Sequence, residues 1–215
     1  AQGGDKEARL LMSVLEPLAA ALTDGKTARS VEFSEEDKRI VRQLQLLTWK
    51  PVLYVCNVGE EDAGEGNDYS RAVEEFAKAE GSSSILISAA IEAEIAALPT
   101  EEDKQEFLET LGLEETGLAR LIRQGYGLLD LLTFFTAGPK EARAWTVRVG
   151  ATAPQAAGAI HTDFERGFIR AETIAYEDFI ECGGEAAAKD AGKLRVEGKE
   201  YITKDGDIFH FRFNV

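Results

Sequence analysis

The sequence predicts a parallel α/β domain followed by a smaller α+β domain of β-grasp type. Two short apolar runs, Val52–Cys56 and Ile85–Ile87, are separated by a stretch whose apolar residues have helical spacing, and this order is that of a βαβ crossover. From residue 139 onward, strand-like segments enclose one helix, which is typical of a small mixed sheet domain. The length of 215 residues suits one large domain or two small ones.

The early elements follow from periodicity and capping signals. Apolar residues recur at three- and four-residue steps over Asp5–Thr23, which predicts a helix, and a second helix begins at Ser34 with an acidic first turn. The run Val52–Cys56 lacks polar alternation and is too short for a helix, so we expect a strand buried on both faces. A helix over Tyr69–Glu80 then leads to the strand Ile85–Ile87.

The later elements are predicted from helical spacing and from strand-like runs in the same way. Further helices are expected over Glu92–Ala97, Glu101–Leu111 and Thr116–Phe135. The last part is expected to contain strands at Arg143–Val149, Phe168–Ala175, Leu194–Val196, Tyr201–Ile202 and Ile208–Phe213, a helix from Pro154 to about Phe164, and short helices at Tyr176–Ile180 and Glu185–Ala191.

Charge is divided unevenly between the two parts. Residues 1–142 hold 14 basic and 27 acidic residues and residues 143–215 hold 10 and 12, so −13 of the net charge of −15 lies in the first part. An acidic surface repels phosphate backbones and anionic headgroups, which disfavours a general nucleic-acid or membrane binder. The nearly neutral second part can still meet RNA locally, and the asymmetry suggests two modules with different partners.

Targeting and metal signals are sparse. No apolar run approaches the roughly 20 residues that cross a bilayer, and Ala1–Asp5 carries no signal pattern. Cys56 and Cys182 form no metal-type spacing, and His161 and His210 lie 49 residues apart without ligands around them, so no metal site is expected. We expect a cytoplasmic protein without a membrane partner, and the sequence leaves the oligomeric state open.

Two short loops follow the strands of the crossover, where open α/β sheets place their ligands. The first, Asn57-Val58-Gly59-Glu60, stands where GTPases of the translation-factor class carry Asn-Lys-x-Asp. The Asp of that motif accepts hydrogen bonds from guanine N1–H and the exocyclic amino group, whereas adenine presents an acceptor at N1. Glu60 in place of Asp and Val58 in place of Lys therefore remove the guanine-reading geometry.

The second loop, Ser88-Ala89, stands where the same class places a short Ser-Ala loop that lines the base. Either loop alone is also what an ordinary βα turn produces. Their joint occurrence after two consecutive strands of one crossover is more specific, and it favours a site for a nucleotide base.

Longer segments carry a closer resemblance. The chain closely resembles the YchF/Obg-like ATPases over Lys50–Glu60, Phe134–Thr146, Ala151–Gly158, Ile160–Glu172 and Gly206–Val215. The resemblance covers essentially the whole chain. It implies the end of a helical coiled-coil insertion over residues 1–30, the later half of a P-loop NTPase-type nucleotide-binding domain over residues 31–130, and a β-grasp TGS domain over residues 131–215.

The resemblance also implies a function. It implies that the complete protein binds and hydrolyses ATP in preference to GTP with Mg²⁺ as cofactor, with adenine contacts from Asn57, Val58, Glu60, Ser88 and Ala89. Family members begin with a phosphate loop of the type GxxxxGKS/T, which these 215 residues lack, so the chain resembles a C-terminal portion. No catalytic residue is assigned in it, and we expect no nucleotide turnover by residues 1–215 alone.

A ribosome or RNA partner is the second implication, because TGS domains of the resembling families are associated with ribosomes and RNA-related ligands. The candidate contacts are basic residues that a compact sheet domain could present on one face: Arg166, Arg170, Lys193, Arg195 and Arg212. The alternative is that they pair with Glu165, Glu172 and Glu197 inside the protein. A non-catalytic TGS-containing module that binds RNA, ribosomes or proteins is the competing function.

Overall fold

In the residues that the structure describes, β structure is divided between a two-stranded parallel sheet and a five-stranded mixed sheet. The computed structural model describes residues 6–138 and 141–214. The chain divides at Gly125/Tyr126 into a first unit, which holds the parallel sheet, and a second unit, which holds the mixed sheet.

The first unit begins with a small helical layer. It contains α1 (Lys6–Thr23), α2 (Glu35–Gln43) and short 3₁₀ turns at Ala28–Ser30 and Leu47–Trp49. The Ser34 hydroxyl accepts the Asp37 N–H and so caps α2, as its sequence signal indicates. Apolar side chains from these segments form one buried cluster of Val14, Leu18, Ala28 and Val41.

The βαβ crossover follows as β1 (Leu53–Asn57), α3 (Asp68–Ala79) and β2 (Ser83–Ile87). The strands are parallel and in register from Leu53 opposite Ser83 to Asn57 opposite Ile87, so their carboxyl ends lie at the same edge. The expectation that β1 is buried on both faces is wrong, since Val55 is 46% exposed. Within the described residues β1 pairs with β2 alone, and the side of the strand that carries Val55 is not covered.

Three helices complete the first part of the chain: α4 (Ala89–Ala97), α5 (Glu101–Thr110) and α6 (Gly117–Leu128). Their buried side chains include Ile91, Ile95, Leu108 and Leu113. The Glu92 carboxylate accepts the Gly117 N–H at 2.6 Å and the Leu118 N–H at 3.3 Å. These bonds fix the start of α6, because the first N–H groups of a helix have no partner within it.

The second unit contains a sheet with the strand order β4-β3-β7-β5-β6. Only the β3/β7 pair is parallel among its neighbours. Its strands are β3 (Leu131–Ala137), β4 (Ala142–Arg148), β5 (Phe168–Ala175), β6 (Arg195–Glu197) and β7 (Asp207–Phe213), and its helices are α7 (Ala153–Ile160), α8 (Thr162–Arg166), α9 (Tyr176–Cys182) and α10 (Glu185–Asp190).

One aromatic core holds this sheet against α7. The rings of Phe134 and Phe209 meet edge to face at 5.5 Å, and both side chains are essentially inaccessible. The facing helix presents Ala153, Ala156 and Ala157, all fully buried, and small side chains let a helix approach a sheet closely.

Three element predictions are corrected. The helix expected over Thr116–Phe135 ends at Leu128, and Asp130 takes a left-handed φ of 52° that turns the chain into β3. The helix expected from Pro154 to Phe164 is interrupted at His161, whose Nδ1 accepts the Asp163 N–H and caps α8. The strand expected at Tyr201–Ile202 is reduced to an isolated bridge between Thr152 and Ile202.

Candidate functional site

The two loops of the predicted base site are joined by a hydrogen bond. The Ala89 N–H, at the start of α4, donates to Asn57 Oδ1 at 3.0 Å, and these residues lie 32 positions apart in sequence. The Val58 N–H donates to the Ile87 carbonyl at 2.9 Å, which extends the ladder by one residue past β1. The parallel register thus places the segment after β1 directly beside the segment after β2.

The loop after β1 is held at its far end by an N-cap. Glu60–Asp62 forms a 3₁₀ turn, and Asp62 Oδ2 accepts the side-chain amide of Asn67 at 2.7 Å. Asn67 Oδ1 in turn accepts N–H groups in the first turn of α3, which completes a capping box with Ser70. Glu60 is exposed on this loop, so its carboxylate is accessible from solvent.

Ser88 differs from its neighbour in burial. Its side chain is 4% exposed, and its Oγ has no hydrogen-bond partner among the described atoms, whereas Ala89 is exposed. A buried hydroxyl without a partner costs free energy, so it is a group with unused hydrogen-bonding capacity beside the loop pair.

A cavity of about 360 Å³ opens next to Asn57 and Val58. Its wall also includes Tyr69, which is 85% exposed, and Val73 from α3. The volume lies within the roughly 300–1,000 Å³ of small-molecule sites. The sequence reasoning did not select Tyr69 or Val73; the N-cap at Asn67, which starts α3 close to the loop, is the signal that points to them.

An ion pair anchors β1 behind the loop. Arg29 Nη2 donates to Glu80 Oε2 at 2.8 Å, Arg29 Nη1 donates to the Thr48 carbonyl at 3.2 Å, and the Tyr54 hydroxyl donates to Glu80 Oε1. The bond from Tyr54, followed by those from Arg29, lowers the pKa of the Glu80 carboxyl, and the same bond raises the pKa of Tyr54. These contacts tie the helical layer, β1 and the end of α3 together within the first unit.

The five basic residues predicted to contact RNA do not share one face. Arg170 and Arg212 lie directly opposite each other on β5 and β7, and they share the carboxylate of Glu172 at 3.7 Å and 3.1 Å. The hydrogen bonds from Arg212 lower the pKa of Glu172. This is the one pair among the five that the sheet brings together.

The other three are also paired with carboxylates. Arg166 lies 3.8 Å from Asp163 and Lys193 lies 2.8 Å from Asp178. Arg195 bonds Glu197 at 3.0 Å and lies 3.4 Å from Asp207, on the opposite side of the sheet from Arg170 and Arg212 by strand alternation.

Asp207 explains the position of Arg195. Its side chain is 3% exposed, and Oδ2 accepts hydrogen bonds from the Tyr201 hydroxyl at 2.9 Å and the Lys204 N–H at 2.8 Å. Burial, and then the bond to Asp207, raises the pKa of Tyr201. Since a buried carboxylate requires partners, the guanidinium of Arg195 is engaged inside the protein.

The described residues contain neither a metal-ligand cluster nor a membrane-spanning helix. Across residues 6–138 and 141–214, no group of three or more His, Cys, Asp or Glu side chains is arranged to hold a metal ion. No helix in that part of the chain is both long and apolar enough to cross a membrane.

Known proteins match the chain along its whole length. The family model YchF-GTPase_C, a protein of unknown function (DUF933), matches residues 131–214. All 215 residues align with the Ribosome-binding ATPase YchF of Haemophilus influenzae at 56% identity and with that of Escherichia coli O157:H7 at 55%, and the chain covers 59% of each. The Bacillus subtilis protein of the same name is 54% identical over 98% of this chain and 58% of its own length.

Two solved structures are similar in fold. The structure of the Schizosaccharomyces pombe YchF GTPase matches with a TM-score of 0.84 at 34% identity, over 99% of this chain and 58% of that one. A GTP binding protein from Pyrococcus horikoshii OT3 matches with a TM-score of 0.54 at 18% identity, over 95% of this chain and 67% of that one, which is a likeness of fold alone.

The parallel crossover with its paired loops and these structural matches define a protein with a GTPase-like fold. Within that class, the chain belongs to the YchF family. It spans about three fifths of the length of the curated relatives named above.

Proposed function

We propose that the chain supplies the base-reading loops of a ribosome-associated ATPase. In the complete protein these loops hold the adenine of ATP, which is hydrolysed with Mg²⁺ and preferred to GTP. The observation that carries the proposal is the hydrogen bond from the Ala89 N–H to Asn57 Oδ1, which joins the two loops at the carboxyl edge of the parallel strands. The relatives named Ribosome-binding ATPase YchF support the same activity.

Base preference follows from the loop chemistry. Asn57 orients the Ala89 backbone, and the exposed Glu60 carboxylate is available to accept the N6 amino protons of adenine. A guanine would present its O6 acceptor at the same edge, where a carboxylate repels it. Val58, in place of a Lys side chain, contributes an apolar wall to the cavity beside Asn57.

The boundaries of the functional parts are proposals of the same kind. Residues 1–30 form the end of a coiled-coil insertion, residues 31–130 the later half of the nucleotide-binding domain, and residues 131–215 a TGS domain that docks on the ribosome. Arg170 and Arg212 are the basic pair best placed to meet an RNA phosphate, because they lie opposite each other on neighbouring strands. Glu172 lies between them, so phosphate must compete with it. A ribosomal partner implies a cytoplasmic location.

The base-reading proposal is tested by comparing fluorescent ATP and GTP analogues in equilibrium binding to the chain. We expect tighter binding of the ATP analogue. The double variant Val58→Lys, Glu60→Asp restores the guanine-type sequence and is expected to shift the ATP-to-GTP affinity ratio by roughly tenfold toward GTP.

The matched control is Glu75→Asp, the same shortening at an exposed position on α3. It should leave the ratio unchanged. An unchanged ratio in the double variant, with its circular dichroism spectrum intact, would remove Val58 and Glu60 from the proposed base site.

Ribosome docking has its own test. Arg170→Glu with Arg212→Glu should weaken co-sedimentation with ribosomes and flatten its dependence on salt, because phosphate contacts release counterions. Lys189→Glu, on exposed α10, is the control. Unchanged co-sedimentation of the double variant would refute a role for this pair.

A further inference from the structure

Among residues 6–138 and 141–214, no strand pairs with the outer edge of β4 in the mixed sheet. This strand is the terminal one in the strand order and pairs with β3 through seven consecutive residue pairs without a bulge. It contains no proline, so one common device that blocks edge pairing is missing from it. Bulges and prolines keep natural edges from recruiting further strands, and a long regular edge is a template for one.

The hydrogen bonds at both ends of the hairpin show which backbone groups are free. The Val149 N–H donates to the Asp130 carbonyl at 2.8 Å, and the Gly138 N–H donates to the Glu141 carbonyl at 3.0 Å. In an antiparallel pair, bonding alternates along the strand, so odd-numbered residues of β4 face β3. The N–H and C=O groups of Ala142, Ala144 and Thr146 therefore point away from the sheet.

These outward positions are accessible. Ala142, Ala144 and Thr146 are all exposed, and their side chains are small. A peptide strand placed at the usual spacing of about 4.8 Å would meet alternating donors and acceptors. RNA is a poorer match, because phosphate oxygens accept hydrogen bonds and would leave the outward carbonyls without donors.

The arginines of β4 indicate which kind of peptide would bind at this edge. Arg143 lies over the Trp145 ring at 4.3 Å, and Arg148 donates to the Leu129 carbonyl at 3.4 Å. Within residues 6–138 and 141–214, neither guanidinium has a carboxylate within 4 Å, unlike the five basic residues discussed above. Two arginines without counter-charges beside a free backbone edge match an acidic peptide.

A second copy of the chain is disfavoured as the occupant. Antiparallel pairing of two β4 strands would bring the arginines of both copies to one seam, where like charges repel. We infer that β4 binds an extended acidic peptide segment of a partner protein by strand addition, with carboxylates paired to Arg143 and Arg148. This inference is independent of the nucleotide site.

By strand alternation Arg143 and Arg148 lie on opposite faces of β4, so the probe must present carboxylates on both faces. It is a fluorescein-labelled, end-capped peptide of sequence Val-Glu-Glu-Val-Val-Glu-Glu-Val, titrated into the full chain and followed by fluorescence anisotropy. Arg143→Glu with Arg148→Glu should weaken binding by roughly tenfold or more, because two attractive pairs become repulsive. Ala144→Pro removes one outward N–H without removing a bond to β3 and should weaken binding roughly fivefold. Lys199→Glu, the same charge change at an exposed turn, should have no effect.

If Ala144→Pro fails to fold, hydrogen exchange of backbone amides in the unaltered chain provides a second test. In the unaltered chain, the peptide should slow exchange of the Ala142, Ala144 and Thr146 amides, and a Val/Lys peptide should not. Absence of this protection would overturn the inference. A concentration-dependent dimer with the same protection would overturn it in favour of a second copy, and binding of a single-stranded RNA but not the peptide would overturn it in favour of nucleic acid.

Discussion

The two units of the chain have differently built cores. In the second unit, ten buried residues from four strands and α7 form one cluster, with Phe134 and Phe209 at its centre. In the first unit, the buried residues fall into separate smaller clusters, and large apolar side chains such as Tyr69 and Phe76 remain more than half exposed. Since stability grows with the apolar area removed from water, the second unit is expected to unfold at the higher temperature.

The largest expected effect is the loss of stability when a core ring is removed from the second unit, and it tests the contrast between the two cores. Phe134→Ala should lower the free energy of unfolding of the second unit by about 3–5 kcal/mol, because it leaves a cavity in the core. The same substitution at Phe76, which is 59% exposed, should cost less than about 1 kcal/mol. Urea unfolding separates the units, because Trp49 reports on the first and Trp145 on the second, and a Trp→Phe change at either isolates the other. Equal losses in the two variants would contradict the contrast.

The next largest effect is expected from removing the buried carboxylate of Asp207 in the second unit. Asp207→Ala removes the acceptor for Tyr201, Lys204 and Arg195, which should cost about 3 kcal/mol by leaving a half-buried guanidinium and a hydroxyl without that partner. Asp190→Ala, at the exposed end of α10, is the control. A loss no greater than the control's, in the same urea experiment, would show that the network does not stabilise the sheet.

The anchor behind β1 gives the first unit a pH dependence. The pKa of Glu80 is lowered in the folded protein, so its contribution to stability is present above its ordinary value of 4.5 and is lost as the pH falls below it. The pKa of Tyr54 is raised, so its contribution is present below 10 and is lost as the pH rises through the folded value. Thermal melts of the first unit should show both losses, and Glu80→Gln should flatten the acid side. An acid limb unchanged by Glu80→Gln would exclude Glu80 as its cause.

The smallest effect is expected at the surface of the second unit. Arg166 is 80% exposed and lies 3.8 Å from Asp163, so Arg166→Ala should change the free energy of unfolding by less than about 0.5 kcal/mol. A larger loss in urea unfolding would mean that Arg166 has a structural role that its geometry does not indicate.

The sequence predicted most elements because their signals are local. The capping residue Ser34 and the apolar runs of β1 and β2 identify themselves within a few positions. The segment Leu131–Phe135 was misassigned because its apolar residues continue the spacing of α6, and neither glycine nor proline occurs between Leu128 and Phe135. The strand conformation of β3 depends on seven residue pairs with β4, on two with β7 more than 70 residues later, and on the left-handed turn at Asp130.

In the candidate site, too, the features set by strand order could be predicted and those set by distant packing could not. The order of the strands predicts that the Asn57 and Ala89 loops are neighbours, because parallel strands end at one edge, and the hydrogen bond between them has that geometry. The alternative pairings with Glu172 and Glu197 are found for Arg170, Arg212 and Arg195, and Arg166 pairs with Asp163 three residues earlier on one helix. The contacts of Lys193 with Asp178 and of Arg195 with Asp207 could not be predicted, since these carboxylates approach only through packing. The base and RNA assignments themselves remain predictions.

The base site is tested most directly by the backbone amide of Ala89, followed by NMR during titration with AMP and with GMP. AMP is expected to shift this resonance and that of Val58 at lower concentration than GMP, and Asn57→Ala is expected to abolish the difference. Equal shifts with both nucleotides, or shifts confined to residues outside the two loops, would contradict the assignment of this edge as an adenine site.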